Sequence, residues 1–586
     1  MAKSVRGQVD MASDEHTPEN ASSESGVHDE KVTENLKGEE HVHLTWRSWL
    51  VVLVTCFAQL AQVFVVVAAG QVMAFVSRDL GDARLSGWII QGPLLMQAVL
   101  SPIVGRLSDV FNRKWLVSTP PLIACVGAIV SATANSMTTL IGGSILIGST
   151  LSTIAIIQAI PSEILPLKYR AVANAAGFLG SAVGGIVGGL GTGSVTAMSS
   201  SGWRNVFWIQ AALHGATCLG LVLLYHPAKK SNSPRLSLKQ YILAVDPVGS
   251  GLFIVGATLT LLAFDWLGGS YQASDVHFIA PLTIGLVGLL AFSLYEWKGI
   301  SDGLAPHVLF RKSPNFALAM FALTIEGWIF YSAVNSVVPQ IILNLGFENN
   351  AWSISIRQLS SQIPTIVACV VVTWYATVFK DLKTPLLVTF TIFLASTICY
   401  ALITPNMSAA QIGYNVLVAV GQAGPLTLLV AIIQFSAPHE HLSSATGLAF
   451  SARALGGAFG SAVLNAIISG KLSSTYARDV SNAVLSTGLP ESSVAALLKA
   501  LQVGDMQGLE TVADGNQAII RAAIDASHWA YARAYRLAWW SILPFIVLAM
   551  VAVACMKGVK QLMTERVEAS VEPALKAKTG GVDETV

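Results

Sequence analysis

The chain is poor in charge. Only 12% of its 586 residues are Asp, Glu, Lys or Arg, against roughly 25% in soluble proteins. This deficit excludes a water-facing surface over most of the molecule. Charge of one sign is lacking too: 35 basic and 34 acidic residues leave a net +1, which selects no charged partner. The polar N-terminal stretch is acidic, which argues against nucleic acid. Cysteine is scarce. Cys56, Cys125, Cys218, Cys369, Cys399 and Cys555 sit inside apolar runs without metal-ligand or redox spacing. They read as small hydrophobes, and neither a disulfide framework nor a metal site is expected. Zinc-helix, nucleophile-elbow and Walker patterns are missing, so an enzyme is not expected. A secretory leader is not expected either, because the first apolar run starts near Trp49 and is too long.

What is present is apolar: 53% of the chain is hydrophobic. A helix crosses the hydrocarbon layer with about 20 apolar residues. Fourteen such spans are predicted, at 49–70, 88–105, 115–134, 139–160, 171–193, 203–225, 247–267, 276–296, 316–343, 358–379, 384–404, 410–435, 443–469 and 536–556. The fold class is an all-α polytopic membrane protein, grouped 6 + 2 + 6. Residues 1–45 form an acidic tail, expected to be disordered. Residues 46–226 make a first six-helix bundle, and 227–312 a linker with two extra spans. Residues 313–556 make the second bundle, with a long outer loop at 470–535 holding helix-like pieces around 493–502 and 516–534. A second polar tail fills 557–586.

Lys and Arg in short loops set orientation. The connections after spans 2, 4, 6, 8 and 10 hold fourteen: Arg106, Arg113, Lys114, Lys168, Arg170, Lys229, Lys230, Arg235, Lys239, Lys298, Arg311, Lys312, Lys380 and Lys383. The short loops after odd-numbered spans hold Arg78, Arg84, Arg204 and Arg357. Even-numbered connections and both termini are therefore expected on the cytoplasmic side. Asn406-Met407-Ser408, a glycosylation acceptor pattern, then falls outside. Asn20-Ala21-Ser22 also matches the pattern, on the cytoplasmic tail.

Two glycine-rich stretches occupy the fifth place of each half. Span 5 carries Gly180, Gly184, Gly185, Gly188 and Gly189; span 13 carries Gly456, Gly457 and Gly460. Small residues four apart let helix backbones approach closely, which serves either plain packing or bending. Between spans 2 and 3 lies a charged block, Gly105-Arg106-Leu107-Ser108-Asp109-Val110-Phe111-Asn112-Arg113-Lys114.

That block resembles the signature of the major facilitator superfamily, Gly-x-x-x-Asp-x-x-Gly-Arg-Arg/Lys, with Asn112 in place of the second glycine. Span 5 resembles the antiporter signature Gly-x-x-x-Gly-Pro-x-x-Gly-Gly, with Gly185 where proline is usual. Fourteen spans suit the drug:proton antiporter branch. Asp246-Pro247-x-Gly249, Asp265-Trp266-x-Gly268-Gly269 and His277-x-x-Ala280-Pro281-Leu282 look like the fungal trichothecene efflux pump family. The resemblance covers roughly 45–556. It implies the major facilitator fold and an exporter of small, largely apolar organic compounds, working as a plasma-membrane monomer. A proton gradient would drive it, with no cofactor. Asp109, with Gly105, would act in the cytoplasmic gate, and Arg113 and Lys114 would anchor at the headgroups. Two departures matter. Span 4 lacks the arginine usually tied to proton coupling, and span 1 has Gln59 and Gln62 where an acid is common. The coupling residue therefore does not carry over.

An ionisable group inside a membrane is costly and is by default a functional candidate. Glu326, in span 9 beside Gly327 and Trp328, is the first choice for a protonatable carboxylate; a structural hydrogen-bonded glutamate is the alternative. Arg453 in span 13 is the buried cation. It pairs with a carboxylate, stabilises an anionic group, or snorkels. Asp265 at the outer rim, Glu163 past span 4 and His214 in span 6 are further candidates, His214 with a packing role as the alternative. Gln59, Gln62, Gln91, Gln97, Gln158, Asn335, Gln340, Gln362, Gln422 and Gln434 line the spans. With Trp328, Phe330 and Tyr331 they suit an uncharged polar cavity with aromatic walls, and helix-to-helix hydrogen bonds are the alternative. The expected partners are a small-molecule substrate, protons and the lipid bilayer. Siderophore-iron uptake on the same fold and a non-transporting membrane sensor remain the other readings.

Overall fold

A computed structural model describes residues 46–80, 88–196, 201–227, 245–267, 274–311, 313–348, 351–503, 505–565 and 567. The tail 1–45, Arg84, Lys229, Lys230, Arg235, Lys239, Gly268, Gly269 and Lys312 lie outside the described residues. So does most of the tail 557–586.

No strand occurs among the described residues. In hydrocarbon every backbone N–H and C=O must be satisfied within the segment, so apolar stretches of this length become helices. Fourteen are long and apolar enough to cross a membrane. We number them α1 (Trp46–Leu80), α2 (Trp88–Val110), α3 (Arg113–Ala132), α4 (Met137–Ile164, with a 3₁₀ step at Leu151–Thr153), α5 (Arg170–Thr196), α6 (Trp203–Leu224), α7 (Pro247–Leu267) and α8 (Val276–Lys298). The second half holds α9 (Asn315–Asn344), α10 (Ala351–Phe379), α11 (Lys383–Ala401), α12 (Ser408–Ser436), α13 (Leu442–Ser486) and α14 (Gln517–Cys555). Each predicted span corresponds to one helix.

Helices α1–α6 pack on one another, and so do α9–α14. The pair α7/α8 forms a hairpin whose first member lies against α2 and α13. The two halves meet chiefly along α2 against α13 and α5 against α10. The described parts of the connections after even-numbered helices gather with Asp109 at one end of the bundle. Lys168, Asp302, His439, Lys383 and the stretch after α14 are joined there by hydrogen bonds and ion pairs.

The two long spans contain π-helical turns, at Ile329–Val337 in α9 and Pro425–Leu429 in α12. A π turn frees backbone carbonyls, which side chains then take. Ser332 donates to the Trp328 carbonyl, and Asn335 to that of Phe330 at 2.7 Å.

The region 470–535 is not a loop. Helix α13 runs 45 residues without a break and α14 runs 39, so they are about 68 and 58 Å long. Both outrun the roughly 30 Å hydrocarbon layer. Beyond it they form a helical hairpin with short helices Val494–Val503 and Met506–Val512. The hairpin has a core of its own, including Tyr476, Val480, Leu497, Leu509 and Ile520. Sequence inspection missed the continuity because these turns lack a 20-residue apolar run.

Four of the five glycines of span 5 serve packing within their own half. Gly180, Gly184 and Gly188 face α1, where a methyl group at Gly184 would overlap the Leu60 carbonyl oxygen. Gly189 opens towards Val67 of α1, and Gly185 towards Gln362 of α10. In the second half, Gly456 and Gly460 face α9, where Gly456 lies against the Thr324 carbonyl. The fifth helix of each half thus nests on the first by the same device.

Overpacking such a contact costs about 1–3 kcal/mol. Gly456→Leu should lower the thermal midpoint of the purified protein by several degrees. Gly251→Leu, where a side chain meets open space, should leave it unchanged. Fluorescence-detected melting reads both.

Candidate functional site

Helix α13 begins with backbone N–H groups that have no partner within the helix. Its N-cap, His441, offers no side-chain acceptor. The acceptor comes from the other half. Asp109 Oδ1 accepts from the Ser443 N–H at 3.2 Å; Oδ2 accepts from the Ser444 N–H at 2.8 Å and the Ser444 hydroxyl at 2.7 Å. A carboxylate at a helix N-terminus is also favoured by the helix dipole. The Asp109 side chain is only 2% exposed.

Arg113, one turn further on, donates to Asp109 at 3.0 Å and to Glu163 at the end of α4. It is therefore turned inward and is not a headgroup anchor. Lys114 reaches His226 at 2.8 Å. Asn112 has an extended backbone and accepts from the Lys114 N–H, so it caps α3. No left-handed conformation is needed there, which accounts for the missing second glycine.

Close approach makes the carboxylate contact possible. Methyl groups at Gly105 and Gly447 would lie 2.5 Å from the Ser443 and Ser101 carbonyl oxygens, respectively. Ser451 donates to the Ala98 carbonyl one turn further along. Around this seam, Arg106 binds Asp302 at 2.9 Å and His441 at 3.2 Å. A chain of buried amides also crosses between the halves. Gln59 donates to Gln158, Gln158 to Asn174 at 2.7 Å, and Asn174 to Gln434 at 2.9 Å. Arg170 donates to the Gln434 carbonyl and stacks over Phe435. The Asp109 end is closed by these contacts.

The second cluster lies deeper. Glu326 and Arg453 both sit eleven residues from the Asp109 end of their helices, about 16 Å in, near the centre of a hydrocarbon layer of about 30 Å. Arg453 Nε and Nη2 donate to the Glu326 carboxylate at 2.5 and 3.0 Å, a bidentate pair with both partners under 5% exposed. Its guanidinium stacks 4.5 Å over Phe330 and 5.1 Å over Tyr331. Helix α13 thus presents Ser443, Gly447 and Ser451 to α2 on one face, and Arg453, Gly456 and Gly460 to α9 on the adjoining face.

The other candidates fall elsewhere. His214 is fully buried within the first half, and neither ring nitrogen has a hydrogen-bond partner among the described residues. Asp265 lies near the far end of α7, half-buried and outside both clusters. Asn406 is exposed at the end opposite Asp109. The amides do not form one cavity wall: Gln59, Gln62, Gln158 and Gln434 are buried in hydrogen bonds between helices. Trp328 is packed against Phe459 and Phe545. Sequence inspection missed Ser443, Ser444 and the role of Glu163; Gln434 was among the amides for which helix-to-helix hydrogen bonds were the alternative reading. The one available signal was a helix start at Leu442 with no acidic cap of its own.

Two six-helix bundles, closed at one end by contacts between them, form the architecture of an alternating-access membrane transporter. The family model of the Major Facilitator Superfamily matches residues 52–461, and the chain belongs to that superfamily. It is 25% identical over 528 residues to the MFS-type transporter prx5 of Penicillium rubens, covering 89% of this chain and 93% of that one. It is 24% identical over 524 residues to the trichothecene efflux pump TRI12 of Fusarium sporotrichioides, covering 86% and 85%. Among solved structures, the human organic anion transporter MFSD10 superposes with a TM-score of 0.51 at 10% identity, covering 86% of this chain and 99% of that one. The proton:xylose symporter XylE gives 0.51 at 12% identity, covering 86% and 97%. These two show the fold.

A hydrogen bond to a charged group contributes about 1.5–3 kcal/mol, and each 1.4 kcal/mol is tenfold in a population. Asp109→Asn should therefore loosen the closed end. Ser101 is fully buried in the seam. The thiol of Ser101→Cys should react with a soluble maleimide at least about tenfold faster when combined with Asp109→Asn. Removing one partner of a buried ion pair costs about 3–5 kcal/mol, whereas replacing both can be near neutral. Glu326→Gln and Arg453→Gln should each lower the thermal midpoint more than the double variant does. A double variant as unstable as the sum of the singles would refute the pairing.

Proposed function

We propose that this transporter is a proton-coupled exporter of a small, largely apolar organic compound, acting by alternating access in the plasma membrane with both termini cytoplasmic. The observation that carries this reading is the Glu326–Arg453 pair, a bidentate ion pair buried near mid-membrane on the same helix that closes the Asp109 end. The lysine and arginine bias of the even-numbered connections makes that end cytoplasmic. Two similar proteins, TRI12 and the efflux pump apf11 of Gibberella fujikuroi, are named as efflux pumps.

In this reading the coupling chemistry has moved to the second half. Span 1 and span 4 offer Gln59, Gln62 and Gln158, which do not titrate. Glu326 is the proton acceptor. A proton arriving at its carboxylate neutralises it and leaves Arg453 without a counter-ion in a low-dielectric site. Arg453 then holds Tyr331 and Phe330 alone, and α13 shifts against α9. Because α13 also carries Ser443 and Ser444, the shift reaches the Asp109 contact. Loss of the proton to the cytoplasm restores the pair and resets the closed end. Gln362, which approaches Gly185 across the two halves, and the part-buried Phe330 and Tyr331 beside Arg453 receive an oxygenated apolar compound.

The test uses inside-out vesicles with an acid-loaded lumen and a panel of apolar fungal metabolites. Accumulation in the lumen should collapse when a protonophore is added. Glu326→Gln should lose accumulation by about tenfold or more, yet still exchange labelled for unlabelled substrate when the gradient is absent. Accumulation by Glu326→Gln at the wild-type level would refute its role. Uptake in the opposite direction would refute export.

A further inference from the structure

At the Asp109 end, α5 and α10 together line a recess. Between them lies a groove of about 580 Å³, within the range of small-ligand sites. One wall is Val370, Trp374 and Val378 of α10, each more than half exposed, so the groove opens sideways from the bundle. The facing wall is Val172 and Leu179 of α5. Thr373 and Thr377 also line it, but their hydroxyls donate to carbonyls of their own helix at 2.6 and 2.8 Å. They present methyl groups, and the groove is apolar along its length.

Its mouth is not apolar. Lys168 and Lys380 stand there, one from each half. Lys380 follows the last turn of α10 with φ of +51°. A residue with a side chain is strained in that conformation and glycine is not. The sequence places an ammonium where backbone geometry alone asks for glycine. Lys380 has no polar partner among the described residues. Lys168 has one that can be exchanged: its ammonium lies 3.1 Å from Glu565, and its backbone N–H donates to the Thr564 carbonyl at 2.9 Å. The stretch after α14 thus reaches across from the second half to the first.

An apolar slot open to the bilayer, with two cations at headgroup height, has the chemistry of an acyl chain with a phosphate at one end. Basic pockets between membrane helices on the cytoplasmic side select anionic headgroups. We propose that this groove binds one acyl chain of an anionic phospholipid from the surrounding leaflet, with Lys168 and Lys380 holding its headgroup. The headgroup competes with Glu565 for Lys168, so bound lipid loosens the C-terminal stretch from the first half. The proposal goes beyond export and needs only the membrane placement.

The full-length protein is purified and offered phosphatidylserine or phosphatidylcholine with matched chains, and retained lipid is counted by native mass spectrometry. Wild type should prefer phosphatidylserine by about tenfold or more, less so at high salt. Lys168→Gln with Lys380→Gln should abolish the preference, the double arginine variant should keep it, and Glu565→Gln should strengthen it. Lys380→Gly should weaken it while leaving lipid-free thermal stability equal or higher. Val172→Trp, which fills the slot, should reduce retention of both lipids. Unchanged preference in the double glutamine variant would overturn the headgroup assignment. Val172→Trp that blocks transport but not lipid retention would make the groove a substrate portal and overturn the proposal. Retention is measured without transport, so failure of the export reading leaves the result intact.

Discussion

The structure depends on a helix end that cannot complete itself. The first turn of α13 has donors facing the seam between two bundles, where water is scarce. Among the described residues, Asp109 of the opposite bundle meets those of Ser443 and Ser444. A cap supplied from the same chain segment would hold in every conformation. A cap supplied from across an interface holds in one: when the bundles part, Asp109 keeps Arg113, and the two N–H groups lose their acceptor. Arg113 and Glu163 fix the carboxylate, and Gly105 and Gly447 remove the side chains that would hold the backbones apart.

Scarcity of charge governs the rest. In the first half, apart from the buried imidazole of His214, polar groups deep inside the membrane are mainly amides and hydroxyls, some of which form fixed chains such as Gln59 to Gln158 to Asn174. They give direction and rigidity but keep the same charge at every pH. The second half concentrates ionisable chemistry in one bidentate pair under an aromatic cover. Both belong to the same architecture, since the fifth helix of each half packs on the first through glycines against carbonyl oxygens. A common scaffold therefore carries one half joined by amide chains and another that buries a bidentate ion pair.

Much of this was legible in the sequence, for physical reasons. Span positions follow from length and hydropathy, because the bilayer forces apolar runs into helices. Gly105 and Asp109 were legible through the resemblance of their block to the family signature, whereas Arg113, expected at the headgroups, turns inward to Asp109 and Glu163. The partners of Asp109 were not. Ser443 lies 334 residues away, and nothing local marks a backbone N–H as an acceptor's target. The amides were misjudged in part for a related reason: a glutamine in a span looks the same whether it lines a cavity or bonds a neighbour. The hairpin beyond 470 was read as a loop because its helices are held by a small core of spaced residues rather than by a continuous apolar run.

The unbroken length of α13 has a mechanical consequence. It is a single rod fastened near one tip by Asp109 and gripped about a quarter of the way along by Glu326, with its other tip standing clear of the bilayer. For a rod of this length, each degree of tilt moves the free tip by about 1 Å. Movements too small to see inside the bundle would be magnified at the surface, where the protruding hairpin acts as a pointer reporting which way the carrier leans.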